Sequence, residues 1–158
     1  MLGVIIGTMT TPLDPASSPP TAAATATPAP ADIIAFLDRY RDAFNALDGV
    51  AVAHLYAAPS GIASDTGYTH WPSMEPIAQN MVALCKLYRD NGFAATHCTV
   101  ERYIPQGTQY AVVDVHWQVD RTAGQAPWVF NTTYNLMQTP DGWRVLLCTA
   151  YSEKPLNR

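Results

Sequence analysis

Three side chains in this chain of 158 residues have types and settings that suit acid–base chemistry on a small molecule: Tyr40, Asp65 and His70. Tyr40 belongs to an apolar stripe, Ile33, Phe36, Leu37, Tyr40, Phe44 and Leu47, that recurs at helical spacing. Its ring therefore points inward, and a buried phenol needs a hydrogen-bond partner, either a ligand or a group of the core. Asp65 lies in Ser64-Asp65-Thr66-Gly67. At the mouth of an apolar pocket its carboxyl would be harder to ionise, which suits proton transfer near neutrality. The same four residues also spell an ordinary turn. His70 stands beside Trp71, just ahead of a helical pattern, where it would rim a pocket as a general base or a positioning group.

Other chemistries lack their residue patterns. No histidine pair or His/carboxylate cluster occurs at metal-ligand spacing, so no metal is expected. There is no G-x-S-x-G, no Gly-rich phosphate loop and no dinucleotide fingerprint, so no cofactor is expected either. Cys85, Cys98 and Cys148 form no C-x-x-C pair and read as small buried hydrophobes in a reducing compartment. A net charge of −4, with nine Lys and Arg scattered along the chain, offers no basic stripe for nucleic acid. No apolar run approaches the roughly 18 residues of a membrane helix. Leu2 to Ile6 is apolar, but no Lys or Arg precedes Arg39, so a signal peptide is not indicated and a cytoplasmic location is expected.

The elements that must hold these residues follow from periodicity. Residues 1–31, rich in Ala, Thr and Pro, read as a disordered or loosely attached tail. The folded domain is expected over 32–154, with Asp32 as N-cap of a first helix that stops at Asp48-Gly49. A short helix is expected over Val50 to Ala57, then irregular chain or a short strand over Ile62 to Trp71. A third helix carries Met74, Ile77, Met81, Leu84, Cys85 and Tyr88, with Ser73 at its start. From Gly92 the period becomes two. Strands are expected over Ala95–Ile104, Gln109–Arg121, Trp128–Thr139 and Gly142–Ser152, joined by Gly-containing turns. Helices followed by a meander predict an α+β domain with three N-terminal helices packed on one face of an antiparallel sheet.

Three local motifs add a resemblance. Arg39-Tyr40-Arg41-Asp42-Ala43-Phe44-Asn45-Ala46-Leu47-Asp48, Ala111-Val112-Val113-Asp114-Val115-His116-Trp117 and Asp141-Gly142-Trp143-Arg144-Val145 occur in order along the domain. Together they resemble the nuclear transport factor 2-like superfamily, in particular its SnoaL-like and ketosteroid isomerase-like members. The resemblance implies a cone formed by a curved sheet and its helices. It puts Tyr40 where those isomerases donate to an enolate oxygen, and Asp65 near their proton-shuttling aspartate. Their second acid would fall near Thr133 or Tyr134, where this chain has no Asp or Glu, so that route is incomplete here; Tyr134 would have to donate instead. The scaffold serves isomerases, dehydratases, cyclases and non-enzymes alike, and fold does not give function.

Strand alternation then divides the sheet. Val113, Val115, Trp117, Phe130, Thr132, Tyr134, Leu147, Thr149 and Tyr151 fall on the face expected to line a pocket for a small apolar or aromatic ligand. Tyr56, Trp71 and Met81 are expected to complete it. The opposite face, with Asp114, His116, Asn131, Thr133, Arg144 and Cys148, mixes polar and apolar groups. Charged residues are only 14% of the chain, against roughly 25% in typical domains. Such a surface suits a homodimer through that face. Two readings of function remain: a pocket protein for a small apolar ligand, or a cofactor-independent isomerase, cyclase or dehydratase.

Overall fold

The computed structural model describes residues 27–152; the expected tail up to residue 26, and the chain from 153 on, lie outside them. Within these residues α1 (Ala31–Asn45) and α2 (Gly49–Ala53) precede a hairpin of β1 (Tyr56–Ser64) and β2 (Gly67–Trp71). Then come α3 (Met74–Asp90), β3 (Phe93–Gln106), β4 (Tyr110–Arg121), β5 (Trp128–Thr139) and β6 (Gly142–Tyr151). The α+β class is as expected. The sheet has six strands in the order β2-β1-β6-β5-β4-β3 and is mixed, because β1 runs parallel to β6. An all-antiparallel sheet is therefore not what forms: periodicity alone does not reveal a strand that pairs across the whole length of the domain.

The first helix begins at Ala31, two residues before the start that Asp32 would set as N-cap. Pro30 is the cap, and Asp32 lies in the first turn, where its carboxylate favours the helix N-terminus. Asp32 Oδ2 also accepts the Trp143 indole N–H at 2.8 Å, tying the start of α1 to the start of β6. Ile33, Phe36, Leu37, Tyr40 and Phe44 are buried, as the stripe requires. The helix stops at Asn45, Leu47 takes a positive φ of 50°, and Asp48 caps α2 by accepting the Ala51 N–H at 2.9 Å. The second helix ends at Ala53 rather than Ala57, because Tyr56 already pairs with Val145 of β6. Pro59, which has no N–H to give a ladder, sits where β1 loses register with β6 between Tyr56 and Gly61.

Helix α3 buries Ile77, Met81 and Cys85. It packs so closely on α2 that a Cβ at Gly49 would lie 2.5 Å from Val82 N and 2.6 Å from its Cα. That approach is open to glycine alone, and backbone on both sides leaves little room to yield. Gly49→Ala should lower unfolding stability by about 1–3 kcal/mol, the usual cost of overpacking, read as a fall in the urea midpoint. An unchanged midpoint would mean that the two helices are free to separate.

Candidate functional site

The helices cover one face of the sheet, and between α3 and that face lies a cavity of about 390 Å³. That size falls within the range of small-molecule sites. Three layers of residues form it. Tyr40 and Phe44 enter from α1, and Tyr56 and Ile62 from β1. Met81, Leu84 and Tyr88 descend from α3, while Asn80, Ala83 and Leu87 on the same helix form an exposed rim. The sheet contributes Thr96, Trp117, Phe130, Thr132, Tyr134, Cys148 and Ala150. No Asp, Glu, Lys, Arg or His is among the lining residues.

Burial of so many rings leaves hydroxyls that need hydrogen-bond partners. Tyr40 stands at the centre, with ring centroids 5.3 Å from Tyr134, 5.8 Å from Trp117 and 6.2 Å from Tyr56. Its hydroxyl lies 2.9 Å from that of Tyr56. Trp117 donates its indole N–H to Thr132 Oγ1 at 2.9 Å. Tyr134 and Cys148 stand beside this cluster in the same wall. Burial pushes the phenols of Tyr40, Tyr56 and Tyr134 well above their usual value, and the neighbouring phenols and thiol add to it. These groups are neutral at any physiological pH. They can orient or hydrogen-bond a ligand; they cannot serve as a base.

The residues singled out from sequence separate into two places. Tyr40, Tyr56, Met81, Trp117, Phe130, Thr132 and Tyr134 all line the cavity. Val113 and Val115 are on the same face, fully buried, but packed in the core beside it. Trp71 is buried too and meets Tyr56 edge-on at 5.8 Å without reaching the cavity wall. Asp65 and His70 stand apart. Asp65 is exposed in the β1–β2 turn, where Ser64 and Thr66 hydrogen-bond each other, so the turn reading of this sequence is what the backbone adopts. His70 is exposed on β2 at the sheet edge, its Nδ1 3.5 Å from the Tyr68 hydroxyl. Neither lines the cavity.

Leu147, Thr149 and Tyr151 require a correction. In the β5–β6 pairing Leu136 faces Val145 but Asn135 faces Leu147, so one residue of β6 bulges out. A bulge of one residue inverts every later side chain. Leu147, Thr149 and Tyr151 therefore pair with Asn135, Thr133 and Asn131 of the far face, and Cys148 and Ala150 turn into the cavity. Strict alternation had them reversed. The signal that could have found Cys148 is the apolar run Val145-Leu146-Leu147-Cys148, which breaks the period of two.

On the far face Asp114 is only 6% exposed although its strand side looks outward. Arg102 holds its Oδ2 through Nη2 at 2.6 Å and Nε at 2.7 Å, and Thr133 donates to Oδ1 at 2.6 Å. His116 and Asn131 pair beside it at 2.8 Å. No group of three or more potential metal ligands occurs among the described residues.

Comparison with known proteins gives the fold and little more. The family model described as "NTF2-like protein (DUF6841)" matches residues 31–153. No curated protein matches the chain. Among solved structures, an NTF-2-like protein of unknown function from Shewanella oneidensis is similar at 18% identity and a TM-score of 0.61, covering 77% of this chain and 97% of its own. A ketosteroid isomerase-like protein from Erwinia carotovora is similar at 14% identity and 0.62, covering 80% and 96%. An NTF2-like superfamily protein from Salmonella enterica is similar at 17% identity and 0.56, covering 80% and 92%. These likenesses show a shared fold.

The raised phenols make a prediction about alkali. Each has a folded pKa above its unfolded value of about 10, so the neutral form is favoured in the fold. Their stabilising contribution is fully present below about pH 10 and is lost as pH rises beyond it. In an ultraviolet titration, Tyr40, Tyr56 and Tyr134 should form phenolate only together with loss of near-ultraviolet circular dichroism. Reversible ionisation of all eight tyrosines with the dichroism unchanged would contradict their burial.

Proposed function

Because the chain belongs to the NTF2-like protein family (DUF6841), we propose that it is a pocket protein that binds a small, uncharged, largely apolar ligand in the cavity beneath α3. In this reading the domain spans 32–154 with residues 1–31 appended to it, and the sheet and helices form a cone whose interior is the cavity. The observation that carries it is the lining: seventeen residues' worth of mostly aromatic and aliphatic wall without a charged side chain, around about 390 Å³. A charged ligand entering there would lose its hydration with no counter-charge in return. An uncharged bicyclic arene would lie against Trp117, Phe130, Met81 and Leu84 and gain from apolar burial. The alternative of an isomerase, cyclase or dehydratase would have hydroxyls for an oxyanion in Tyr40 and Tyr134. It would have no base beside them, since Asp65 and His70 are on the exposed hairpin.

Thermal-shift measurements test the pocket. Naphthalene or 2-naphthol should raise the melting temperature by several degrees at concentrations well above Kd, and 2-naphthoate should not. Ala83→Trp, on the exposed rim, should abolish the shift while leaving the unliganded melting temperature unchanged. Failure of every uncharged arene to shift the transition would remove the proposal.

We further propose a homodimer through the far face of the sheet. Tyr68, Ile104 and Tyr110 are 62%, 41% and 44% exposed, and their strand registers put all three on that face. The face also carries Asp114, His116, Asn131 and Thr133, and Arg144 lies toward its β6 end. Burying it against a second copy would cover large apolar side chains around a polar centre already satisfied within each chain. Thr149→Arg, placed near the middle of that face, should convert a dimer to a monomer in sedimentation velocity with the fold intact. A chain that sediments as a monomer before substitution would contradict the interface.

A further inference from the structure

Asn80 is the one amide side chain in the cavity wall, and it stands at the exposed rim. It lies on α3 one turn before Leu84 and two turns before Leu87, so the side of the helix that meets the opening is otherwise apolar. Among the described residues its amide makes a single hydrogen-bond contact, from Nδ2 to Met81 Sδ at 3.9 Å. A thioether is a weak acceptor, so the carbonyl oxygen and an amide hydrogen are left for whatever occupies the mouth. Thr96, also in the wall, is committed to the fold instead. Its Oγ1 donates to Gln118 O at 3.3 Å, and Asn45 bonds its backbone N–H at 2.7 Å and its C=O at 3.2 Å. The cavity thus has polar groups at two depths. Tyr40, Tyr56, Thr132 and Tyr134 are each no more than 4% exposed, whereas Asn80 is in contact with solvent.

We infer that Asn80 selects the ligand at the mouth, and that the ligand is an uncharged aromatic molecule polar at both ends, with a hydroxyl or amide at its outer end to meet the Asn80 side chain. The inference rests on the pocket reading proposed above and narrows its ligand class. An amide both donates and accepts, so a neutral hydroxyl or amide can satisfy it and no charge is called for. The selection works mainly by exclusion. A ligand whose outer end is apolar would cover the Asn80 amide, strip its water and give no bond in return, which forfeits the hydration of that group.

Matched naphthols decide it by isothermal titration calorimetry. The probes are 6- and 7-hydroxymethyl-2-naphthol, each compared with the ethyl-2-naphthol of the same shape, on wild type and on Asn80→Ala. Alanine is favourable at an exposed helical position, so the variant keeps its fold. For at least one of the two pairs, the affinity ratio of hydroxymethyl to ethyl should be about threefold to tenfold higher on wild type than on Asn80→Ala, the worth of one net hydrogen bond. A general disturbance of the mouth would weaken both members of a pair together and leave the ratio where it was. If the ratio is the same on both proteins for both pairs, or is higher on the variant, the inference is overturned while the pocket reading stands. If naphthalene, 2-naphthol and all four derivatives fail to bind wild type, the pocket reading falls and the inference with it.

Discussion

Tyr40 and Tyr56, both buried, bring their hydroxyls to 2.9 Å of each other, and much of the domain is arranged around that contact. A buried phenol left unpaired would cost about 1–3 kcal/mol, a substantial part of what holds a domain of this size together. The bond therefore fixes α1 relative to β1, elements sixteen residues apart in sequence at this point. Strand β1 in turn runs parallel to β6 and closes the sheet beside the hairpin. Tyr134 and Thr132 from β5, and Trp117 from β4, complete the polar cluster from the sheet side. The cluster carries no charge, and the Tyr40–Tyr56 and Trp117–Thr132 hydrogen bonds hold it together at the wall of an apolar cavity.

The second organising feature is the bulge in β6. It lets the strand present Val145 to the core near the start and Cys148 and Ala150 to the cavity near the end. The displaced set, Leu147, Thr149 and Tyr151, joins Asn135, Thr133 and Asn131 on the far face. One extra residue thus puts a small side chain, alanine, where the cavity has to stay open. The same twist places bulkier groups where a second copy would pack. Pocket and proposed interface are two faces of one backbone irregularity.

Sequence made some of this legible and not the rest, for reasons of range. The α1 stripe depends on local period, and its positions Ile33, Phe36, Leu37, Tyr40 and Phe44 are all buried. Strand β5 begins and ends at Trp128 and Thr139, where apolar alternation and turn residues mark it. The cavity residues on β4 and β5 followed from the same alternation. What was not visible depends on pairing. The parallel partnership of β1 and β6 joins residues such as Ile62 and Cys148, far apart in the chain, and turns an apparently irregular stretch into two strands. The bulge is a relation between two strands rather than a property of one. Asp65 shows the remaining difficulty: a carboxylate in Ser-Asp-Thr-Gly fits a turn and a proton shuttle equally well, and only the exposed hairpin decides between them.

The account turns on the cavity being a binding site with its polar end toward Thr132 and Tyr134. A crystal structure of the chain with 2-naphthol bound tests that most directly. The rings should lie between Met81 and Leu84 of α3 and Trp117 and Phe130 of the sheet, with the ligand hydroxyl directed at the Thr132–Tyr134 oxygens. A cavity closed by Leu87 and Met81, with the naphthol seated only on the outer surface, would contradict it.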